Sequence, residues 1–268
     1  MIAVLVGVGG AVIAATLASL FIGGVIWPAV FGVAGFLACT LLLNLWVRRK
    51  LQKVVNQVQT DIQQSQAAIQ RKMNQMQNRG VSSAKGLQKQ LEKQQESAIR
   101  EALKKLEAAE GLSKWNLFVK KQLDTMRGQL AYQIKDFEKA DKYLANSLNL
   151  DPMTVAMKMA REYKKENMEA VEKLYRKGKK RFKKEDGAII YGLYSWILVK
   201  EDRIDDAIAV LNEGRDKNDS EVLEANWENL VNGRVRKFSN AGFGEVWYAL
   251  HLEKPKPARV KQRRGKRR

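Results

Sequence analysis

The chain has 268 residues, 48 Lys or Arg against 29 Asp or Glu, a formal charge of +19 and a mean hydropathy of -0.39. Its one cysteine, Cys39, excludes an intramolecular disulfide and a thiolate metal cluster. The charge is uneven: no charged side chain precedes Arg48.

Residues 1–47 predict two membrane-spanning helices. One bilayer-spanning helix needs about 20 apolar residues, so an uncharged run of this length holds two and a turn. The turn falls in "IGGVIWP", where Gly23 and Gly24 loosen the chain and Pro28 suits the first turn of the next helix. The helices are expected over about 2–22 and 26–47. Trp27 and Trp46 stand about 28 Å of helix apart, which suits an aromatic anchor at each interface. Arg48, Arg49, Lys50 and Lys53 come next, and positive residues stay cytoplasmic. The expectation is an integral protein of a bacterial cytoplasmic membrane with both termini in the cytoplasm. A re-entrant hairpin confined to one leaflet is the alternative, and a secretory signal fits neither the run's length nor its lack of a basic leader. The small residues Ala3, Gly7, Ala11, Ala15 and Ser19 permit close helix packing, either on the partner helix through Ala34 and Ala38 or by self-association. No Asp, Glu, Lys, Arg or His lies in either helix, which excludes the proton relay of a pump.

Residues 48–110 read as a helical, coiled-coil-like connector. Leu51, Val55, Val58, Ile62, Ser65 and Ile69, with Met76 beyond, form a heptad seam among solvating glutamines. Leu87, Leu91, Ala98, Leu103 and Leu106 carry a second helix over about 84–110, and "NRGVSS" permits a turn between the two. A parallel stalk that makes a homo-oligomer and an antiparallel hairpin both satisfy this pattern. Either is expected to space the rest of the chain from the membrane.

Residues 111–252 carry paired helices. In "RGQLAYQIKDFEKADKYLANSLNLDP", Gly128 and Ala140 take small positions, Leu144 a large apolar one and Pro152 closes the unit, with Asp136 and Phe137 at the turn. In "YGLYSWILVKEDRIDDAIAVLNEG", Tyr191, Tyr194, Ser195 and Leu198 are followed by Ala207 and Leu211. Both stretches resemble the tetratricopeptide repeat, a 34-residue helix-turn-helix unit. Asp124, Arg127 and Ser147 depart from the family pattern, as do Gly214 and Asp219; the first two suggest an unusual neighbour for the first helix, namely the connector. An intervening unit is expected to centre on Ala170 and Leu174, and a final pair to comprise "SEVLEANWENLV" and "FGEVWYALHLE", closed by Trp227, Trp247 and Leu250. The resemblance implies an α-solenoid whose first helices line a groove for a protein partner. It puts Gln129, Gln133, Met159, Tyr163, Trp196 and Lys200 on that groove, with Trp196 either a concave-face anchor or packed on an adjacent helix. The Lys/Asn pattern of the family's carboxylate-gripping members is not present.

Two segments concentrate positive charge. "KLYRKGKKRFKK", residues 173–184, alternates apolar and basic positions at helical spacing, so one face packs and the lysines solvate the other. Residues 253–268 read as a disordered basic tail, in which Lys261, Arg263, Arg264, Lys266, Arg267 and Arg268 are candidates for binding anionic lipid or RNA. His251 is expected at a polar edge rather than in a catalytic site. With no phosphate loop, metal-ligand cluster or nucleophile beside a histidine, the chain is not expected to be an enzyme or to hold a cofactor. The whole is expected to be an all-α membrane-anchored scaffold for a protein partner. A membrane-associated RNA- or ribosome-binding factor is the second reading.

Overall fold

The computed structural model describes residues 2–21, 26–78 and 84–255, and these are all-α, with no strand among them. The turn at Gly23 and Gly24, the break at "NRGVSS" and the basic residues of the tail from Lys256 onward lie outside the described residues. The chain divides into two compact units, Met1–Leu148 and Asn149–Arg268.

The first unit opens with α1 (Ile2–Phe21) and α2 (Ile26–Asn78), packed side by side. Glycine makes the approach close. A Cβ at Gly35 would stand 2.6 Å from the Ala14 Cβ, and one at Gly7 would stand 2.6 Å from Thr40. The α2 face used is Gly32, Gly35, Phe36, Cys39 and Thr40; the expected face through Ala34 and Ala38 is corrected, for both are exposed. Ile26–Gln75 holds a stretch long and apolar enough to cross a membrane by length and composition, and Val4–Leu20 is a shorter apolar helix.

The second helix does not end at residue 47. It runs on as one rod of 53 residues, because no Gly or Pro interrupts residues 36–79 and the cationic stretch after Trp46 consists of good helix formers. Leu51 and Val58 are buried and Val55, Ile62, Ser65 and Ile69 half-buried, so the expected seam does pack. Its partner is α3 (Ala84–Ala108), which runs back along it. Lys105 pairs with Asp61 at 2.5 Å, while Lys72 donates to Gln94 at 3.1 Å; position falls along one helix as it rises along the other. Ile99, Ala102, Leu103 and Leu106 complete a core with Val47, Leu51 and Val58.

This hairpin does not hold the next helix away from the apolar part of α2, as a spacer would. A 3-10 segment, Ala109–Lys114, leads to α4 (Leu117–Gln133) at the level where that apolar part ends. Trp115 meets Trp46 edge-on with ring centroids 6.0 Å apart, and Asn116 Nδ2 donates to Asn44 Oδ1 at 3.0 Å. α4 then pairs with α5 (Phe137–Ala145) over Gly128, whose Cβ would stand 2.8 Å from Leu144. The two atypical residues of α4 are explained by the connector. Arg127 is buried and donates to the Leu106 carbonyl of α3 at 2.7 Å, with Asp124 and Glu110 each 3.7 Å away. Burial pushes the Asp124 carboxyl up, and Arg127 beside it pulls the other way.

The second unit comprises α6 (Pro152–Lys164), α7 (Met168–Arg181), α8 (Glu185–Lys200), α9 (Ile204–Lys217), α10 (Glu221–Val231), two 3-10 segments, Val235–Lys237 and Asn240–Phe243, and α11 (Glu245–Tyr248). α8 is its hub: residues 187–198 are all buried, which is why this helix is apolar all round. Gly178 of α7 and Gly214 of α9 allow close approach to it, facing Ile190 and Tyr191. Tyr175 stacks on Tyr194 at 4.0 Å between centroids.

The helix pairs α4–α5, α6–α7 and α8–α9 are joined by turns of the same kind. Lys135, Glu166 and Asp202 sit at φ near +60°, and the next amide in each case reaches back to Ala131, Glu162 or Leu198, the six-residue bond of a Schellman motif. Four residues past each N-cap the side chain is wholly buried: Ala140, Val171 and Ala207. The middle pair is therefore centred on Val171 and Tyr175, one residue later than expected, with Ala170 and Leu174 only half-buried. α10 ends in the same bond at Gly233, but no second long helix comes after it among the described residues. The expected helix "FGEVWYALHLE" is corrected to the four-residue α11, which starts only after Gly244 at φ +63° and is over before His251 at φ +53°.

Candidate partner-binding surfaces

The six groove candidates fall in both units. Gln129 and Gln133 lie on α4 of the first, half-buried and exposed respectively. In the second unit Tyr163 of α6 and Lys200 of α8 converge on Trp196: the Tyr163 ring stands 5.7 Å from it, edge-on, and Lys200 Nζ 5.2 Å from its centroid. Met159 is wholly buried and is corrected from groove wall to core.

Of the two readings of Trp196, the packed one describes it and the open concave-face anchor does not. It is 6 % exposed, with Trp247 against it at 5.6 Å. Glu253 ties the pair, accepting from the Trp196 Nε1–H at 2.8 Å and the Trp247 Nε1–H at 2.9 Å through its two oxygens. The same face of α8 is covered further along by the chain's own C-terminal part. Phe243 lies against Gly192, and Asn240 Nδ2 donates to the Gly192 carbonyl at 2.7 Å. Asn226 Nδ2 in turn donates to Asn240 Oδ1 at 2.9 Å, so a buried amide network holds the cover in place. What remains open beside Tyr163 is a polar hollow of about 440 Å³, lined by Tyr163, Lys164, Glu166, Met168 and Glu201.

A second concavity, of about 380 Å³, was not legible as a site. Val155, Leu174, Gly178 and Phe182 line its apolar part, and Lys177, Lys180, Arg181 and Asn149 its polar part. All three cations are exposed. Behind Asn149, Lys158 donates to its Oδ1 at 2.7 Å; burial of that ammonium pushes its pKa down to about 8. The sequence signal was the run "KLYRKGKKRFKK". Its packed face behaves as expected, with Val171, Tyr175, Gly178 and Phe182 buried, but the half-buried Leu174 beside Phe182 turns part of that face into the lining of a hollow.

An apolar lining under a cationic rim suits an acidic, partly apolar peptide segment. The six basic candidates Lys261, Arg263, Arg264, Lys266, Arg267 and Arg268 lie outside the described residues. Among the described residues no group of three or more His, Cys, Asp or Glu is placed to hold a metal ion. Trp227 lies under the Arg215 guanidinium at 3.6 Å, while Trp247 and Leu250 are buried, so all three expected closing residues lie in packed surroundings. Comparison with family models, with curated proteins and with solved structures gave no match.

Proposed function

We propose that the protein is a membrane-anchored scaffold whose tetratricopeptide-like helix pairs capture a protein partner at the cytoplasmic face. α1 and the apolar part of α2 form the anchor, crossing the membrane twice with both termini cytoplasmic. The length and composition of α2 support this, as do the shorter apolar helix Val4–Leu20 packed on it, the lipid-compatible side chains the two expose, such as Leu5, Leu20 and Leu42, and the cations that begin at Arg48. The observation that carries partner capture is the apolar hollow rimmed by Lys177, Lys180 and Arg181. The occupant it suits is an acidic segment with an apolar anchor.

The test is affinity capture of the full chain from detergent extracts at low and high salt, with RNase. The tailless comparison should stop after Lys254, so that Glu253, which holds Trp196 and Trp247, is kept. A partner retained by the tailless chain and lost when Leu174 becomes Glu supports the proposal. Recovery of RNA by the tailed chain alone, with no protein retained by the tailless one, would put the RNA- or ribosome-binding reading in its place.

A further inference from the structure

The junction of the 3-10 segment with α4 exposes two large apolar side chains side by side. Leu117 is 66 % and Phe118 48 % exposed, whereas the next residue, Val119, is 2 % exposed and packs in the core. The exposure is therefore not that of a loosely packed end. Asn116 fixes the junction from both sides: its Oδ1 accepts from the Phe118 amide and its Nδ2 donates to Asn44. Trp115 stands against Trp46, and Lys50 Nζ lies 4.2 Å over the Trp46 ring. Leu117 and Phe118 are thus held at the level of α2 where exposed Leu41, Leu42 and Leu45 give way to Arg48, Arg49 and Lys50. Lys114, Lys120 and Lys121 flank the apolar pair and are exposed as well.

We propose that Trp115, Leu117 and Phe118 form a foot that enters the headgroup–acyl boundary of the phospholipid bilayer, in the leaflet from which α2 emerges. The proposal rests on the membrane reading of α1 and α2. Continuity with α2 argues for lipid as the occupant: the apolar pair adjoins the last apolar residues of that helix and sits beside the tryptophan pair suited to an interface. Charge argues for anionic lipid, since Lys114, Lys120 and Lys121 flank the pair in sequence and Arg48, Arg49 and Lys50 follow the last apolar residues of α2, all six exposed. The foot gives the anchor a second, lateral point of attachment. It holds the start of α4 against the membrane and prevents α4 and α5 from swinging about α2.

The test uses the whole protein in vesicles of phosphatidylcholine and phosphatidylglycerol. In a Cys39→Ala background, single cysteines are placed at Leu117, at Leu37 in the middle of the apolar part of α2, and at Gln59 beyond the cations, and each is labelled with an environment-sensitive fluorophore. All three positions are exposed. The label at 117 should lose about half its emission or more to lipids with a nitroxide near the headgroup, and should resist aqueous iodide. The label at 37 should respond to deep nitroxides and that at 59 to iodide. Exchanging Lys114, Lys120 and Lys121 for Glu should reduce shallow quenching at 117 toward its level in phosphatidylcholine alone. If 117 is open to iodide and untouched by nitroxides while 37 is quenched, the foot is wrong and the anchor stands. Protection of 117 from both quenchers means that protein covers it, which also overturns the proposal. A label at 37 that no lipid quencher reaches defeats the membrane reading itself, and the foot with it.

Discussion

At the scale of single residues, burial decides what polar atoms do. Tyr175 is buried between Tyr194 and Tyr191, and among the described residues its hydroxyl has no hydrogen-bond partner. Burial and the nearby Glu213 push that hydroxyl far above its ordinary range. Removing an unsatisfied buried hydroxyl is neutral or favourable, so Tyr175→Phe should change stability by no more than about 1 kcal/mol, with a stabilising sign. Tyr175→Ala, which also removes the stacked ring, should cost about 3–5 kcal/mol in denaturant unfolding. Lys158 gives a pH prediction. Its pKa of about 8 in the folded chain lies below that of an unfolded lysine, so the penalty for charging it is full at low pH and disappears as pH rises. Wild type should therefore gain stability relative to Lys158→Met between about pH 8 and pH 10, whatever the constant offset between them. Thermal unfolding across that range checks the sign; a flat difference would mean that the ammonium is not desolvated.

At the scale of elements, close approach and turn geometry set the pairing. Glu166 occupies a left-handed conformation that costs an ordinary L-residue about 1–2 kcal/mol and glycine almost nothing. Allowing for the backbone freedom of glycine in the unfolded chain, Glu166→Gly should stabilise the α6–α7 pair by about 0.5–1 kcal/mol. Lys165→Gly, one residue earlier at φ -95°, should destabilise it instead. Chemical denaturation of both variants distinguishes a turn effect from a general effect of glycine. In the α1–α2 pair, Gly35→Val would drive a side chain into Ala14, where overpacking costs about 1–3 kcal/mol. Its unfolding temperature in detergent should fall, while Ala34→Val, on the exposed side of the same turn, should leave it unchanged.

At the scale of the whole molecule, the proposed topology makes a direct prediction. In intact cells, a cysteine replacing Gly23 should react with a membrane-impermeant reagent, and one replacing Ser82 should not. Labelling at neither position would favour the re-entrant hairpin, and labelling at Ser82 alone would reverse the orientation. Cys39 is packed against Gly10 with its Sγ 3.7 Å from the Val6 carbonyl, so replacing it with Ala removes the background reaction at modest cost.

Local physics was legible without tertiary information. An all-α chain, an apolar stretch ahead of the first charges and the seam from Leu51 to Ile69 arise from composition and helical period, because each reflects the solvent that a helix face meets or avoids; the small positions at Gly128, Ala140 and Ala207 came from the resemblance to the tetratricopeptide repeat. The choice between a stalk and a hairpin was not legible: the same seam satisfies either partner, and only α3 running back along α2 decided it. Nor could the length of α2 be read from hydropathy, since a helix crosses a change of solvent freely when no Gly or Pro stops it. Repeat register places Met159 and Trp196 on the first-helix face, but whether that face is open depends on contacts far away in sequence. Glu253 lies 57 residues from Trp196, and Asn240 lies 48 from Gly192. Composition and period were enough to establish the helical class and the apolar seams of the first unit, but not the extent of α2 or the shortness of α11. What covers each face was settled by tertiary contacts, because burial is a property of the surfaces that meet and not of the residues that carry them.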